Sequence, residues 1–365
     1  MLDSRTISRL DLNLLGTAVV LAAIGCMLIY SSTYFTRGMA TVERQVAWCL
    51  VGIVLMLIFT FVDYRLYLDL AVVLFAIGMI FLLYLLIWGK ATANVRSWIR
   101  LPGGFQFQPS EFMKIATALV LAKYFDSNDR AYLTVTSFGM IVLIIGLPLG
   151  LILVQPDFGT AATYFPLIAA AMFFGGIRAR YWIIAVLILA IVLPIGWGFV
   201  LKPYQQERVV TFLNPERDPL GSGYQVMQAK IAIGSGGITG KGFRQGTQAK
   251  LEYLPARHTD FIFAVLGEEW GFVGVVIVLS LYLFMILDSL TIAKAARDRA
   301  GTFLVISLIS FFIFHILINV SMQIGLLPTT GIPLPLISYG GSSTMMFFIA
   351  IGLILNVDFR KFVNV

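Results

Sequence analysis

The chain has 365 residues, of which 59% are hydrophobic and 12% charged, with a mean hydropathy of +0.90 and a formal net charge of +7. A soluble domain is about a quarter charged, so there is too little charge here to cover a water-exposed globule. The basic excess forms no dense stripe and accompanies no helix-turn-helix or zinc-finger pattern, which argues against a nucleic-acid binder.

Apolar runs near the length needed to cross a hydrocarbon core, about 20 residues, predict an all-α polytopic membrane protein of about ten transmembrane helices. They fall at residues 12–31, 44–62, 67–88, 111–125, 132–154, 159–176, 181–201, 260–287, 302–325 and 341–357. The whole chain, 1–365, reads as a single integral membrane domain with a large loop, 202–259, between spans seven and eight. The first apolar run is span-length, so no cleavable signal peptide is expected. Cys26 and Cys49 both lie inside spans and suit packing, since two cysteines supply neither a disulfide framework nor a Cys-based metal site.

The distribution of Lys and Arg over short loops orients the chain. With a cytoplasmic N-terminus, the inside segments hold Arg5, Arg9, Arg65, Lys123, Arg130, Arg178, Arg180, Lys294, Arg297, Arg299, Arg360 and Lys361, against Arg37, Arg44, Lys90, Arg96 and Arg100 outside. Both termini are therefore expected in the cytoplasm. Segment 89–110 and the long loop face outward, and a loop of that length in a compact protein is more often functional than idle.

Two soluble-enzyme motifs fail in the loop. Gly240-Lys241 is followed by Gly242, not Ser or Thr, so there is no phosphate-binding loop. Thr239 stands where a dinucleotide fingerprint needs its third Gly or Ala.

Four sets of residues carry candidate chemistry. Glu111 and Lys114 stand three apart at the start of span four, behind Pro109. They suit either an intrahelical ion pair or, with the helix N-terminus, an anion site for a diphosphate. Asp260, beside Arg257 and His258 at the mouth of span eight, suits a general base on a substrate hydroxyl. A helix N-cap accounts for it equally well. Glu268 and Glu269 would lie about 12 Å deeper along the same helix. Carboxylates at that depth are costly, so they are read either as functional or as partners of a buried cation. His315, Asn319 and Gln323 recur every four residues on one face of span nine, which fits hydrogen bonding between helices. Neither histidine has the company of a zinc site.

The last outer stretch carries Asn319, Gly325, Pro328, Gly331 and Pro333, then Ser338-Tyr339-Gly340-Gly341-Ser342-Ser343. Such irregular backbone beside a membrane is tolerated only where it is buried in protein or lines a polar cavity. These residues resemble the signature of the SEDS family (shape, elongation, division and sporulation). The resemblance extends over the chain through Gln108-Pro109-Ser110-Glu111, Gln155-Pro156-Asp157-Phe158-Gly159-Thr160 and the long loop. Gly246-Thr247-Gln248 and the run Pro255 to Val265 are more similar to the elongation members than to the division members. Ala256 departs from the elongation pattern, where Glu is common.

The resemblance implies a fold similar to GT-C membrane glycosyltransferases. It also implies a peptidoglycan glycosyltransferase that polymerises lipid II outside the cytoplasmic membrane, beside a class B penicillin-binding protein and other elongation-complex proteins. Asp260 matches the family's essential acidic residue, and Glu111 and Lys114 match important positions of span four. On that reading Lys114, Arg208 and Arg257 are the cations for the departing diphosphate, and His258, Glu268, Glu269 and Ser338 complete the substrate-binding set. A divalent cation (Mg or Mn) is expected on family grounds, without a ligand set in the sequence. The rival readings are a lipid II flippase and a non-catalytic scaffold that activates the penicillin-binding protein.

Overall fold

The computed structural model describes residues 11–34, 38–89, 96–100, 106–128, 134–176, 187, 198, 203–213, 222–251, 253–254 and 256–361. These hold fourteen helices and one small antiparallel ribbon. The first four helices are α1 (Leu12–Thr33), α2 (Ala40–Phe61), α3 (Tyr64–Asp69) and α4 (Ala71–Trp88). A two-stranded ribbon follows, β1 (Ile99–Arg100) with β2 (Gln106–Phe107), pairing Ile99 with Phe107. Next come α5 (Pro109–Ser127), α6 (Val135–Val154), α7 (Phe158–Ala162) and α8 (Phe165–Phe174). The remainder is α9 (Pro203–Leu213), α10 (Ser222–Gly236), α11 (Thr247–Lys250), α12 (Ile262–Ala295), α13 (Arg299–Gln323) and α14 (Gly341–Arg360).

Local chemistry sets the helix starts. The carboxylate of Asp11 accepts from the amides of Asn13 and Leu14, and Asp298 accepts from Gly301, each satisfying donors that a helix start leaves without intrahelical partners. Thr134 caps α6 and Asp157 caps α7 in the same way, while Pro109 opens α5.

Seven helices among the described residues are long and apolar enough to cross a membrane: α1, α2, α4, α6, α12, α13 and α14. This is the framework of a multi-pass membrane protein. The fourth predicted span is α5, which carries Glu111, Lys114, Lys123 and Asp126, and most of its residues are buried. The third is broken at Leu70 into α3 and α4, and the sixth at Thr163–Tyr164 into α7 and α8. The seventh, 181–201, lies outside the described residues apart from Leu187 and Gly198. Loop 202–259 is not plain coil, since it contains α9, α10 and α11.

Helix α14 occupies the middle of the bundle, with 94% of its apolar window buried. It lies along α2 and also touches α1, α5, α12 and α13. A buried amide stitches its far end in place. Asn356 donates to the carbonyls of Phe59 and Val62, and its oxygen accepts from the amide of Tyr64 at 3.2 Å. Those backbone groups are freed where the chain turns from α2 into α3. In apolar surroundings their pairing matters more than the packing of any one methyl.

Candidate active site

Four helix ends converge at one end of the bundle: the C-terminal ends of α1 and α13 and the N-terminal ends of α5 and α14. Two irregular segments fill the space between them, residues 256–261 before α12 and residues 324–340 before α14. The first winds into a tight turn in which the amides of Thr259, Asp260 and Phe261 all point at the carbonyl of Ala256, at 3.1 to 3.2 Å. Arg257 is buried, and its Nε donates to the carbonyl of Ser32 at 2.7 Å, tying the turn to α1.

Two bonds join the turn to the second segment, and one of them runs through a serine that is itself fixed within that segment. The amide of Tyr339 donates to His258 O at 2.9 Å, and Ser338 Oγ donates to Thr259 O at 2.6 Å while accepting from the amide of Leu334 at 2.9 Å. The imidazole of His258 rests on the ring of Tyr339, with centroids 5.6 Å apart. Gln45, in the first turns of α2, supports the same corner by donating to Thr344 Oγ1 and accepting from the amide of Gly340.

Asp260 sits at the centre of this junction and is partly exposed. It does not cap α12. The N-cap position belongs to Phe261, and no side chain bonds there. Its carboxylate lies beside Gly331, where an added Cβ would stand 3.8 Å from Oδ2. Gly331 has φ +72°, a conformation that glycine adopts without a Cβ clash. The acid is therefore held by its backbone and is partly exposed at a fold junction.

Glu111 and Lys114 form an ion pair at 2.9 Å, with Lys114 completely buried. Lys114 Nζ also lies 3.3 Å from Nε2 of His315, whose Nδ1 meets the carbonyl of Pro333 at 3.2 Å. A carbonyl only accepts, so Nδ1 carries the proton and Nε2 accepts from Lys114. The pair is thus wired to the 324–340 segment, and through it to Asp260. In this conformation Lys114 touches no open surface.

Glu268 and Glu269 serve a different place. Glu268 is fully buried and accepts from Lys241 Nζ at 2.6 Å, Thr247 N at 2.8 Å, Thr247 Oγ1 at 2.9 Å and Gln248 N at 3.2 Å. Glu269 accepts from Ser31 Oγ on α1. Together they anchor the stretch between α10 and α11, so the cation that Glu268 pairs with comes from the long loop and not from a neighbouring span. Ser338 and His258 are brought to the junction, but the bonds they make there are structural. Arg208 falls on α9, and its side chain lies outside the described residues. Sequence reading missed Gln45, Ser31 and Lys241.

Asp157 gathers a further polar group nearby. It accepts from Ser97 Oγ at 2.6 Å and from the side chains of Gln108 and Thr160. Gln108 leads into α5, and its amide donates to Ser342 Oγ on α14 at 3.0 Å. Among the described residues no three His, Cys, Asp or Glu side chains come together as a metal ligand set. Glu111, Asp157, Glu268 and Glu269 are already engaged in an ion pair, a cap and anchors, and Asp260 stands apart from them, so the described donors do not fit a resident divalent cation.

The bundle, its central buried helix and the carboxylate at the loop junction define a multi-pass membrane protein of the SEDS type. A family model described as cell cycle protein, covering FtsW, RodA and SpoVE, matches residues 10–362. The chain belongs to that family. It is 37% identical to "Peptidoglycan glycosyltransferase MrdB" of Escherichia coli K12, over 96% of this chain and 94% of that one. It is 34% identical to "Peptidoglycan glycosyltransferase RodA" of Treponema pallidum, over 98% and 99%. It is 36% identical to "Probable peptidoglycan glycosyltransferase FtsW" of Trichlorobacter lovleyi, over 95% and 93%. A solved chain from "Structural coordination of polymerization and crosslinking by a peptidoglycan synthase complex" superposes with a TM-score of 0.83 at 29% identity, covering 97% of this chain and 99% of that one.

Proposed function

We propose that the protein is a peptidoglycan glycosyltransferase that polymerises lipid II into β-1,4-linked glycan on the outer face of the cytoplasmic membrane. The names of its relatives support the activity. The observation that carries the site is Asp260, which is rigidly placed by backbone bonds yet partly exposed and not used as a helix cap. Relatives named for both elongation and division lie at 34–37% identity, so overall identity does not separate the two roles. The Gly246-Thr247-Gln248 and 255–265 motifs favour elongation.

Asp260 removes the proton from the GlcNAc 4-hydroxyl of the acceptor. That oxygen attacks the anomeric carbon of the donor MurNAc with inversion, and undecaprenyl diphosphate departs. Arg257 and Arg208 are the cations for the developing diphosphate charge, because preorganised charge stabilises a transition state most where water is excluded. Lys114 acts through the buried pair with Glu111, which sets the 324–340 segment by way of His315. No step is assigned to a metal. The partner is a class B penicillin-binding protein, in keeping with the synthase complex that contains the similar solved chain.

The test is a lipid II polymerisation gel on the complex, with the partner's transpeptidase inactivated. Glycan ladders from wild type and none from folded, partner-bound Asp260→Asn are expected. Ladders from both would remove Asp260 as the base. An intact complex that makes none with wild type would favour a flippase or scaffold.

A further inference from the structure

Asp260 is placed by its backbone, and one side chain reaches that backbone from the opposite wall. Asn319, on α13, has both hydrogens of its amide engaged: one on Asp260 O at 3.1 Å and one on Ile332 O at 2.8 Å. Its oxygen accepts from Gln323 Nε2 at 2.6 Å, one turn along the helix. Gln323 in turn accepts from the amide of Ala264, in the first turn of α12, at 2.7 Å. Asn319 and Gln323 are both fully buried.

This chain of bonds has only one workable polarity. The two carbonyls facing Asn319 are acceptors, so its NH2 must point at them. The Gln323 amide is directed likewise, because its oxygen must face the Ala264 N–H. A flipped Asn319 would set three oxygens against one another. The same clamp spans both segments that meet at Asp260: the turn at 256–261 and the segment at 324–340, whose Gly331 faces the carboxylate. One side chain on α13 therefore ties together the two walls between which the acid stands, beside the bonds from Ser338 and Tyr339.

We infer that Asn319, locked in orientation by Gln323, is a positioning residue for Asp260. The inference deepens the proposed glycosyltransferase reading and rests on it for its kinetic consequence. A general base works only within hydrogen-bond reach of the proton it takes, and small misplacements of reacting groups cost large factors in rate. Losing two hydrogen bonds that hold the base is expected to lower kcat about tenfold. Substrate affinity, which other contacts supply, is left nearly unchanged.

Two measurements on the partner complex test this. Asn319→Leu is close in volume and removes both donors. Its lipid II polymerisation should show kcat down about tenfold with KM within about twofold. Gln323→Leu keeps those donors but frees their orientation and should give a smaller fall of the same kind, about threefold. It is the variant to read if Asn319→Leu does not fold. Placement is read without catalysis in Asp260→Cys protein carrying Cys26→Ala and Cys49→Ala. There, adding Asn319→Leu or Gln323→Leu should change the rate of maleimide labelling of the introduced thiol at least about threefold. Unchanged kcat overturns the inference, as does lower kcat with unchanged labelling, or a rise in KM that accounts for the loss. If Asp260→Asn itself makes glycan, the proposed base fails, while the labelling rates still show whether Asn319 holds position 260.

Discussion

Glu111 and Lys114 neutralise one another at 2.9 Å in a place where both side chains are at least 95% buried. The pair is one helical turn long, and among the described residues only the side chain of its cationic member has a further hydrogen bond, to His315 on α13. Glu111 Oε2 has no hydrogen-bond partner among the described residues. The lysine is therefore the member that couples α5 to the rest of the site.

Breaking this pair from one side strands a charge. Lys114→Met alone, leaving Glu111 buried, is expected to cost about 3–5 kcal/mol. The double variant Lys114→Met with Glu111→Gln is expected to regain most of that stability. Melting curves of the detergent-solubilised protein, followed by size-exclusion fluorescence, give the comparison. A double variant no more stable than the single would contradict the pairing.

Helix α12 is interrupted at Gly271, where φ is +63° and ψ −162°. The interruption is stitched to the stretch after α10 by four backbone bonds of 2.9 to 3.0 Å: Lys241 to Glu268, Gly242 to Glu269, Phe272 to Gly237 and Val273 to Ile238. A Cβ at Gly271 would run into the carbonyl of Ile238 and the amide of Gly240. That conformation is essentially restricted to glycine and costs about 1–3 kcal/mol for other residues. Gly271→Ala should lower the yield of folded protein and its melting temperature, whereas Gly16→Ala, with open space around it, should not. Equal behaviour of the two variants would refute the stitched break.

Glu268 gathers Lys241, Thr247 and Gln248 around one buried carboxylate. Glu268→Gln keeps its shape and loses the charge. The expected cost is about 1–3 kcal/mol, confined to the stretch between α10 and α11. Trypsin should then cut after Lys241 several-fold faster, with little change in the overall melting temperature. Unaltered cleavage would mean the loop is held by something else.

Tyr64 lies at the start of α3, outside the spans, and donates to Asp298 Oδ2 at 2.5 Å. Burial and the neighbouring Asp298 carboxylate push its phenol pKa well above the ordinary tyrosine value. A raised pKa in the folded state means that stability is fully present below the unfolded value, about 10, and is lost as pH climbs beyond it. Tyr64→Phe should cost about 1–2 kcal/mol at neutral pH and flatten the alkaline fall in stability. A pair of chemical-denaturation series at pH 7.5 and 10.5 measures both effects, and parallel falls in the two proteins would exclude the assignment.

Much of this architecture is written in hydropathy. The apolar runs mark α1, α2, α4, α6, α12, α13 and α14 because lipid-facing and core-facing positions are alike apolar. The same likeness hides which helix is central: α4 is the more apolar helix, yet it is mostly exposed while the less apolar α14 is buried. The polar face of α13 was legible from the spacing of His315, Asn319 and Gln323. Its partners were not, because they are backbone carbonyls of segments far away in sequence. Asp260 stood out by position, but the choice between base and N-cap needed the helix start at Ile262. The anchoring role of Glu268 depended on a loop that folds back, and neither periodicity nor charge pattern reports a fold-back.

The burial of α14 bears on how such a chain is assembled. It follows every other described helix in sequence, yet α1, α2, α5, α12 and α13 pack around it. During synthesis the earlier helices enter the bilayer without their common core, and the groove that α14 will fill must stay open or filled with lipid until it arrives. Asn356 then closes the bundle by bonding backbone groups between α2 and α3 that were made some three hundred residues earlier. Chains interrupted before Gly341 would be inserted in the membrane but coreless, and so marked for quality-control proteolysis.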